Sequence, residues 1–304
     1  MNETNEWAID ISLVKRLIAS QFPQWAHHPL RPLASSGTDN AIYRLGADMA
    51  VRLPRVEWAT GQVEKEHVWL PKLAPLLPLA IPTPLAMGYP AEGYPWHWSV
   101  YRWLEGENAI VGRIDNPRQA ATALAQFVAA LQRIDAAGGP PPGTHNSGRG
   151  VPLAMRDAPA RNAIATLSDW VDPDKATAVW EEALQAPVWH DAPVWLHGDL
   201  HPGNLLVVQG RVNAVIDFGT LGIGDPACDL MVAWTMLSAD SRDLFRASLS
   251  VDDATWTRGR GWALSFGLIA LAYYMDTNPV LASIARRTLE EVLADGQETG
   301  QDPN

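Results

Sequence analysis

The stretch His197-Gly198-Asp199-Leu200-His201-Pro202-Gly203-Asn204, followed further on by Ile216-Asp217-Phe218-Gly219, sets two carboxylates and an amide around a short apolar hairpin. Two strands are expected at Leu205–Val208 and Val212–Ile216, joined by a turn at Gln209-Gly210. Asp199 and Asn204 share the loop before the hairpin, and Asp217 ends its second strand. A hairpin folds back on itself, so Asp217 is expected to return close to Asn204. Carboxylate and amide oxygens are the hard ligands that a metal bridging phosphate oxygens requires. A carboxylate on the preceding loop is placed to accept the proton of an attacking hydroxyl. Asp-x-x-x-x-Asn followed by Asp-Phe-Gly is the order in which phosphoryl-transfer sites arrange these parts. Either piece alone is weak; an ordinary surface loop and turn would explain it. Both in order, flanking an apolar hairpin, point to phosphoryl transfer.

A zinc site competes for the same residues, because His197 and His201 have the spacing of a helical His pair. Such a site carries a Glu after its first His as general base, where this chain has Gly198, and Pro202-Gly203 stops a helix at once. His197 is therefore expected to brace the loop and His201 to line it.

Bulk properties narrow the field. A chain of 304 residues suggests about two domains or lobes. With 47% hydrophobic and 19% charged residues it has the composition of a globular protein. A net charge of −11 and a pI near 5.1 lack the basic footprint of a nucleic-acid binder. The lone Cys228 allows no disulfide within the chain and suits a reducing compartment. The polar start Met1–Glu6 has neither the basic nor the apolar region of a secretory signal. The longest apolar run, Ala263–Met275, is interrupted by Ser265 and Gly267 and is too short to span a bilayer. A cytoplasmic protein without membrane or nucleic-acid partners is expected. Nothing in the sequence reports its oligomeric state.

Along the chain, Leu13, Val14, Leu17 and Ile18 recur at helical spacing within Ile11–Phe22. Short strands are expected at Ala41–Leu45, Met49–Leu53 and Trp98–Trp103. A helix at Gly61–Leu73 and a proline-rich stretch (Pro75, Pro78, Pro82, Pro84) separate the last two. Beyond Trp103 the character turns helical. Leu124, Phe127, Val128 and Leu131 follow the i, i+3, i+4, i+7 pattern, and Gly138–Gly143 breaks that helix. Residues 143–160 read as an irregular loop, and helical patterns return at about 174–186, 227–238, 261–275 and 281–294. The fourteen Trp are scattered and read mostly as packing residues.

His197–Asn204, Ile216-Asp217-Phe218 and Gly224-Asp225-Pro226-Ala227-Cys228-Asp229-Leu230 together resemble the aminoglycoside phosphotransferase family, within the protein-kinase-like superfamily. The resemblance implies an α+β, protein-kinase-like bilobal fold. It has a small sheet-based nucleotide-binding lobe over residues 1–103 and a mostly helical catalytic and substrate-binding lobe over 104–304. It implies Asp199 as the catalytic base, Asn204 and Asp217 as ligands of Mg²⁺, and His197 and Asp225 as supports of the loop. For Asp225 and Asp229 a structural role is expected. Ser35, Ser36, Gly37 and Thr38 stand where a phosphate-covering loop is required, with one Gly in place of a full Gly-x-Gly-x-x-Gly. Arg52 replaces the usual strand lysine as the cation on the nucleotide phosphates. Glu66 is expected to hold it, with Lys65 a solvated surface charge. Ser99–Gly106 resembles the inter-lobe hinge, and the nucleotide is expected between the lobes.

The expected function is Mg²⁺-dependent transfer of the γ-phosphoryl group of ATP or GTP to a hydroxyl of a small molecule. An aminoglycoside-like antibiotic is the first acceptor class, with Glu105, Glu107, Asp157 and Asp169 as an acidic wall for a polycation. A macrolide, with GTP as donor, and a small metabolite are the alternatives. A non-catalytic nucleotide-binding module is the reading from a different class.

Overall fold

Alternating burial along its second and third strands shapes the first sheet. The computed structural model describes residues 7–33, 37, 39–110, 112–249 and 251–295. Within them, β1 (Leu30–Pro32), β2 (Asn40–Leu45), β3 (Met49–Pro54), β4 (Pro84–Gly88) and β5 (Trp98–Arg102) form an antiparallel sheet in the order β1-β2-β3-β5-β4. Ala41, Tyr43 and Leu45 of β2 and Met49, Val51 and Leu53 of β3 are buried on one face. Helix α1 (Ile11–Gln21), capped by Asp10 through a 2.7 Å bond from the Leu13 N–H, buries Leu13, Val14, Leu17 and Ile18 in that same core. Arg52 alternates to the opposite face of β3, where helix α2 (Gln62–Leu73) receives it. Strand β4, not among the expected strands, starts at Pro84, the last residue of the proline-rich stretch. Its place at the sheet edge, with a register shift between Pro84 and Ala86, is where a strand tolerates proline.

The chain divides into two compact units, Met1–Glu105 with Ala214–Gly219, and Gly106–Asn213 with Thr220–Asn304. The second is mostly helical. It contains β6 (Glu107–Asn108), α3 (Pro117–Arg133), α4 (Asp157–Thr166), α5 (Pro173–Gln185), β7 (Val194–Leu196) and β8 (Leu205–Val208). Strand β9 (Arg211–Val215) begins there, and β10 (Gly222–Gly224), α6 (Val232–Thr235), α7 (Ala239–Leu249), α8 (Asp253–Tyr274) and α9 (Pro279–Ala294) complete it. Strands β6, β8 and β9 make one small sheet, and β10 pairs with β7 in another. Helix α8 is the spine: Trp262, Leu264 and Leu268 are wholly buried, and Gly261 lets α5 approach so closely that a Cβ there would lie 2.5 Å from that of Ala183. The run Ala263–Met275 is thus largely a buried helix, and no described helix is long and apolar enough to cross a membrane.

Two expectations need correction. The segment 143–160 is not one irregular loop. Two short 3₁₀ turns lead into α4, whose Pro159 sits in the first turn, where a helix needs no proline N–H. The helix expected over 227–238 is a 3₁₀ turn, Pro226–Met231, running into the short α6. Helix α7 follows unannounced, because two of the three residues it buries, Ser241, Arg242 and Phe245, are polar.

Candidate active site

The loop after β7 is held in place residue by residue. Gly198 turns the chain at φ +84°, and a Cβ there would lie 3.0 Å from the Arg149 side chain and from the Thr220 carbonyl oxygen, so only glycine fits. The N–H groups of His197 and Gly198 donate to the two carboxylate oxygens of the buried Asp229, both at 2.7 Å. The Thr220 hydroxyl donates to the His197 carbonyl at 2.7 Å. The buried His197 accepts the Asp199 N–H on Nδ1 at 3.2 Å. His197 and His201 lie on an extended loop and not on a helix.

That loop presents Asp199. Its Oδ1 accepts from the Arg149 guanidinium at 3.1 Å, and its Oδ2 from Asn204 Nδ2 at 3.1 Å. Asn204 Nδ2 also bonds the Asp199 carbonyl at 2.9 Å, so the two residues of the motif lock together. His201 accepts the Gly203 N–H on Nδ1, which turns Nε2 toward Asp199 Oδ2 at 3.4 Å, and its ring stacks on Phe266. Burial pushes the Asp199 carboxyl upward. His201, Arg149 and His197 outweigh burial and hold it well below the usual carboxylate range. Asp199 is therefore an ionised, doubly gripped carboxylate that still keeps 23% of its side-chain surface open.

Support continues behind the loop. Asp225, 4% exposed, makes a bidentate pair with the equally buried Arg258 at 2.8 and 3.1 Å and caps the Ala227 N–H. Its own N–H donates to the Gly150 carbonyl at 3.0 Å. Asp225 thus anchors the turn from which Asp229 reaches the catalytic loop; the direct bonds to the loop are Asp229's. Cys228 between them is buried, as expected of a small packing residue.

The first unit contributes a second constellation. Arg52 donates to Glu66 at 2.6 Å, to Gln62 at 2.9 Å and to Asp217 Oδ1 at 3.0 Å. Glu66, 1% exposed, gives its other oxygen to the Tyr101 hydroxyl. Burial works against the Arg52 charge, and Glu66 and Asp217 more than restore it. Glu64, the other acid on this helix, faces His97 instead. Lys65 is not the solvated charge expected. Its ammonium donates to the Gly219 carbonyl at 2.7 Å, and burial pushes its pKa down to about 8. Asp217 itself sits in the left-handed region at φ +63°. Of the expected phosphate-covering loop only Gly37 is described; Ser35, Ser36 and Thr38 lie outside the described residues.

The donor chemistry of Asn204 and Asp217 fits Mg²⁺. Asn204 commits its amide nitrogen to Asp199, leaving the amide oxygen for a hard cation, and Asp217 keeps 47% of its side chain exposed. Among the described residues no three His, Cys, Asp or Glu side chains gather as a metal cage.

Several site residues escaped the sequence reading. Gln62 lies one helical turn before Glu66, a spacing that placed it within reach of the same arginine. Arg149 lies in an aperiodic loop and gave no signal. Asp157, expected in an acidic wall, is engaged by Arg161 at 2.8 Å and by the Trp180 indole at 2.7 Å.

Comparison with known proteins adds the family. An aminoglycoside 3'-phosphotransferase of Escherichia coli is 40% identical over 86 residues, which cover 26% of this chain and 32% of that relative. The match therefore spans about a third of the relative's length. The structure of the GDP complex of wild-type aminoglycoside 2'-phosphotransferase-IIIa superposes with a TM-score of 0.68 at 21% identity, covering 94% of this chain and 99% of the other. The macrolide 2'-phosphotransferase apoenzyme from Brachybacterium faecium gives 0.60 at 22% identity, covering 92% and 97%. At such identities the likeness is one of fold, and it makes the α+β architecture the kinase-like one. The sequence profile of the phosphotransferase enzyme family matches residues 30–262, from the first strand of the sheet to the middle of α8, and the chain belongs to that family.

Proposed function

We propose that this protein transfers the γ-phosphoryl group of a nucleoside triphosphate, with Mg²⁺, to a hydroxyl of a small molecule. The observation that carries the reading is Asp199, an ionised carboxylate gripped by Arg149 and Asn204 on a loop that Asp229 and Thr220 brace. In this reading residues 1–103 bind the nucleotide and 104–304 supply catalysis and the acceptor site. Arg52, oriented by Glu66 and Gln62, contacts the phosphates, which Ser35, Ser36, Gly37 and Thr38 cover. Asn204 and Asp217 hold Mg²⁺, which when bound supplies charge neutralisation on the phosphate oxygens. Asp199 orients the acceptor hydroxyl and takes its proton at a carboxylate oxygen. His197 and Asp225 keep the loop in register. Most of the rate comes from positioning and neutralisation, with no covalent intermediate on the protein.

The donor is ATP or GTP; the relative crystallised with GDP supports testing GTP alongside ATP. Aminoglycoside-like antibiotics are the first acceptor class, on the strength of the E. coli relative, and macrolides the second. A thermal-shift screen with ATP, GTP and Mg²⁺, followed by a phosphate-release panel of both antibiotic classes and of hydroxylated metabolites, tests the proposal. Nucleotide-dependent turnover on one class is the expected result. Tight nucleotide binding with no turnover on any acceptor would instead favour a non-catalytic binding module.

A further inference from the structure

Among the described residues Arg156 of the second unit is a cation without a counter-ion, and two of its contacts lead toward Asp199: Ser265 precedes Phe266, on which His201 stacks, and Ser147 lies two residues before Arg149, which holds Asp199. Arg156 ends the 3₁₀ turn before α4. Its Nε donates to the Ser265 hydroxyl at 2.9 Å, and one terminal nitrogen reaches the Ser147 carbonyl at 3.4 Å. The guanidinium carbon stands 4.9 Å from the centre of the Trp262 ring. Every polar partner is neutral, and among the described residues no carboxylate lies within ion-pair distance of it. Its chain neighbour Asp157 is turned away to Arg161 and Trp180. Burial first, and the Arg149 charge after it, push the pKa of Arg156 down to about 10. Arg149 in turn holds Asp199, and its buried Nε has no hydrogen-bond partner.

A partly buried guanidinium whose partners are all neutral is costly unless an anion joins it. The cost is conspicuous in a chain with 34 acidic and 23 basic residues, any of whose carboxylates would have served. Arginine's planar fork matches the oxygens of a phosphate or a carboxylate. We propose that Arg156 forms a subsite for an oxyanionic group, phosphate or carboxylate, on the side of the second unit that carries Asp199. The inference rests on the phosphotransferase reading in one respect, namely that Asp199 marks the acceptor side of the reaction. The anion has two sources with one chemistry: the phosphoryl group once it has been delivered to the acceptor, or an anionic group that the acceptor itself carries.

The first test needs no acceptor. Inorganic phosphate is titrated into the full-length protein without nucleotide, read by calorimetry and by the tryptophan fluorescence to which Trp262 contributes. Saturable binding is expected, weakened about tenfold in Arg156→Gln, the loss of a charge-assisted hydrogen bond. It is expected to persist in Arg52→Ala. Should Arg156→Gln fail to fold, Arg156→Met, which keeps the aliphatic stem against Trp262, takes its place. Unchanged affinity in the Arg156 variant, or binding lost in Arg52→Ala alone, would overturn the proposal. The sources separate in turnover. If the anion is the delivered phosphoryl group, the phosphorylated product of a neutral acceptor inhibits Arg156→Gln about tenfold less well, while the acceptor's KM stays within about twofold. If the acceptor brings the anion, the KM of a carboxylated acceptor rises about tenfold and that of its neutral counterpart does not. Failure of turnover on every acceptor would count against the phosphotransferase reading and leave the phosphate titration standing on its own.

Discussion

Asp199 receives a donor on each carboxylate oxygen, Arg149 on one and Asn204 on the other, and its backbone N–H is tied to His197. A carboxylate fixed this way contributes orientation first and basicity second, because its neighbours keep it ionised. In the proposed reaction, replacing it by alanine removes the proton acceptor and leaves the residues proposed to bind nucleotide in place. Asp199→Ala is expected to lower kcat by about 10²- to 10⁴-fold with nucleotide affinity unchanged, checked by steady-state kinetics beside calorimetry. Substantial residual turnover would remove Asp199 from the role. Asp217 offers the opposite signature. Asp217→Ala is expected to abolish the Mg²⁺ dependence of nucleotide binding, measured by titrating nucleotide with and without Mg²⁺; an unchanged Mg²⁺ effect would refute its assignment as ligand.

Single elements explain how these residues are presented. Helix α2 faces β3 with Gln62 and Glu66 one turn apart, both on Arg52, while Lys65 from the same turn bonds the carbonyl of Gly219. One helical turn thereby sets both the cation and the Asp217-Phe218-Gly219 segment. Lys65→Met is expected to weaken Mg²⁺–nucleotide binding about tenfold, the worth of a charge-assisted hydrogen bond, with little change in kcat at saturation. An effect on kcat alone would contradict that placement. Helix α8 begins at Asp252, whose Oδ1 accepts the Thr255 N–H at 2.6 Å. This bond, above all, holds the Asp252 carboxyl below its ordinary range. A carboxyl depressed in the folded state stabilises it above the unfolded pKa, and that contribution disappears as pH falls through the folded pKa. Asp252→Ala is expected to cost about 1 kcal/mol at pH 7. The gap between wild type and variant should close in acid unfolding curves below the carboxylate range.

At the scale of the molecule, the second unit is organised around α8 and a buried ion pair. Arg258 on that helix and Asp225 beneath the catalytic loop neutralise one another out of water, so removing either strands a buried charge. Arg258→Met is expected to destabilise by about 3–5 kcal/mol in urea unfolding, and Arg258→Met with Asp225→Leu by much less. The parts that the sequence determined by itself are those written in short-range code. Short apolar runs marked β2 and β3, helical spacing marked α1 and α3, and the order of His197–Asn204 and Ile216–Gly219 marked the chemistry. Each depends on neighbours along the chain, which a sequence displays directly. The partners of those residues were decided only by tertiary structure. Arg149 grips Asp199 from fifty positions away, Asp229 cradles the loop from thirty-two, and Lys65 reaches Gly219 from 154. No periodicity records such pairings. They arise when burial strips charged and polar groups of water and obliges each to find a partner wherever the fold brings one.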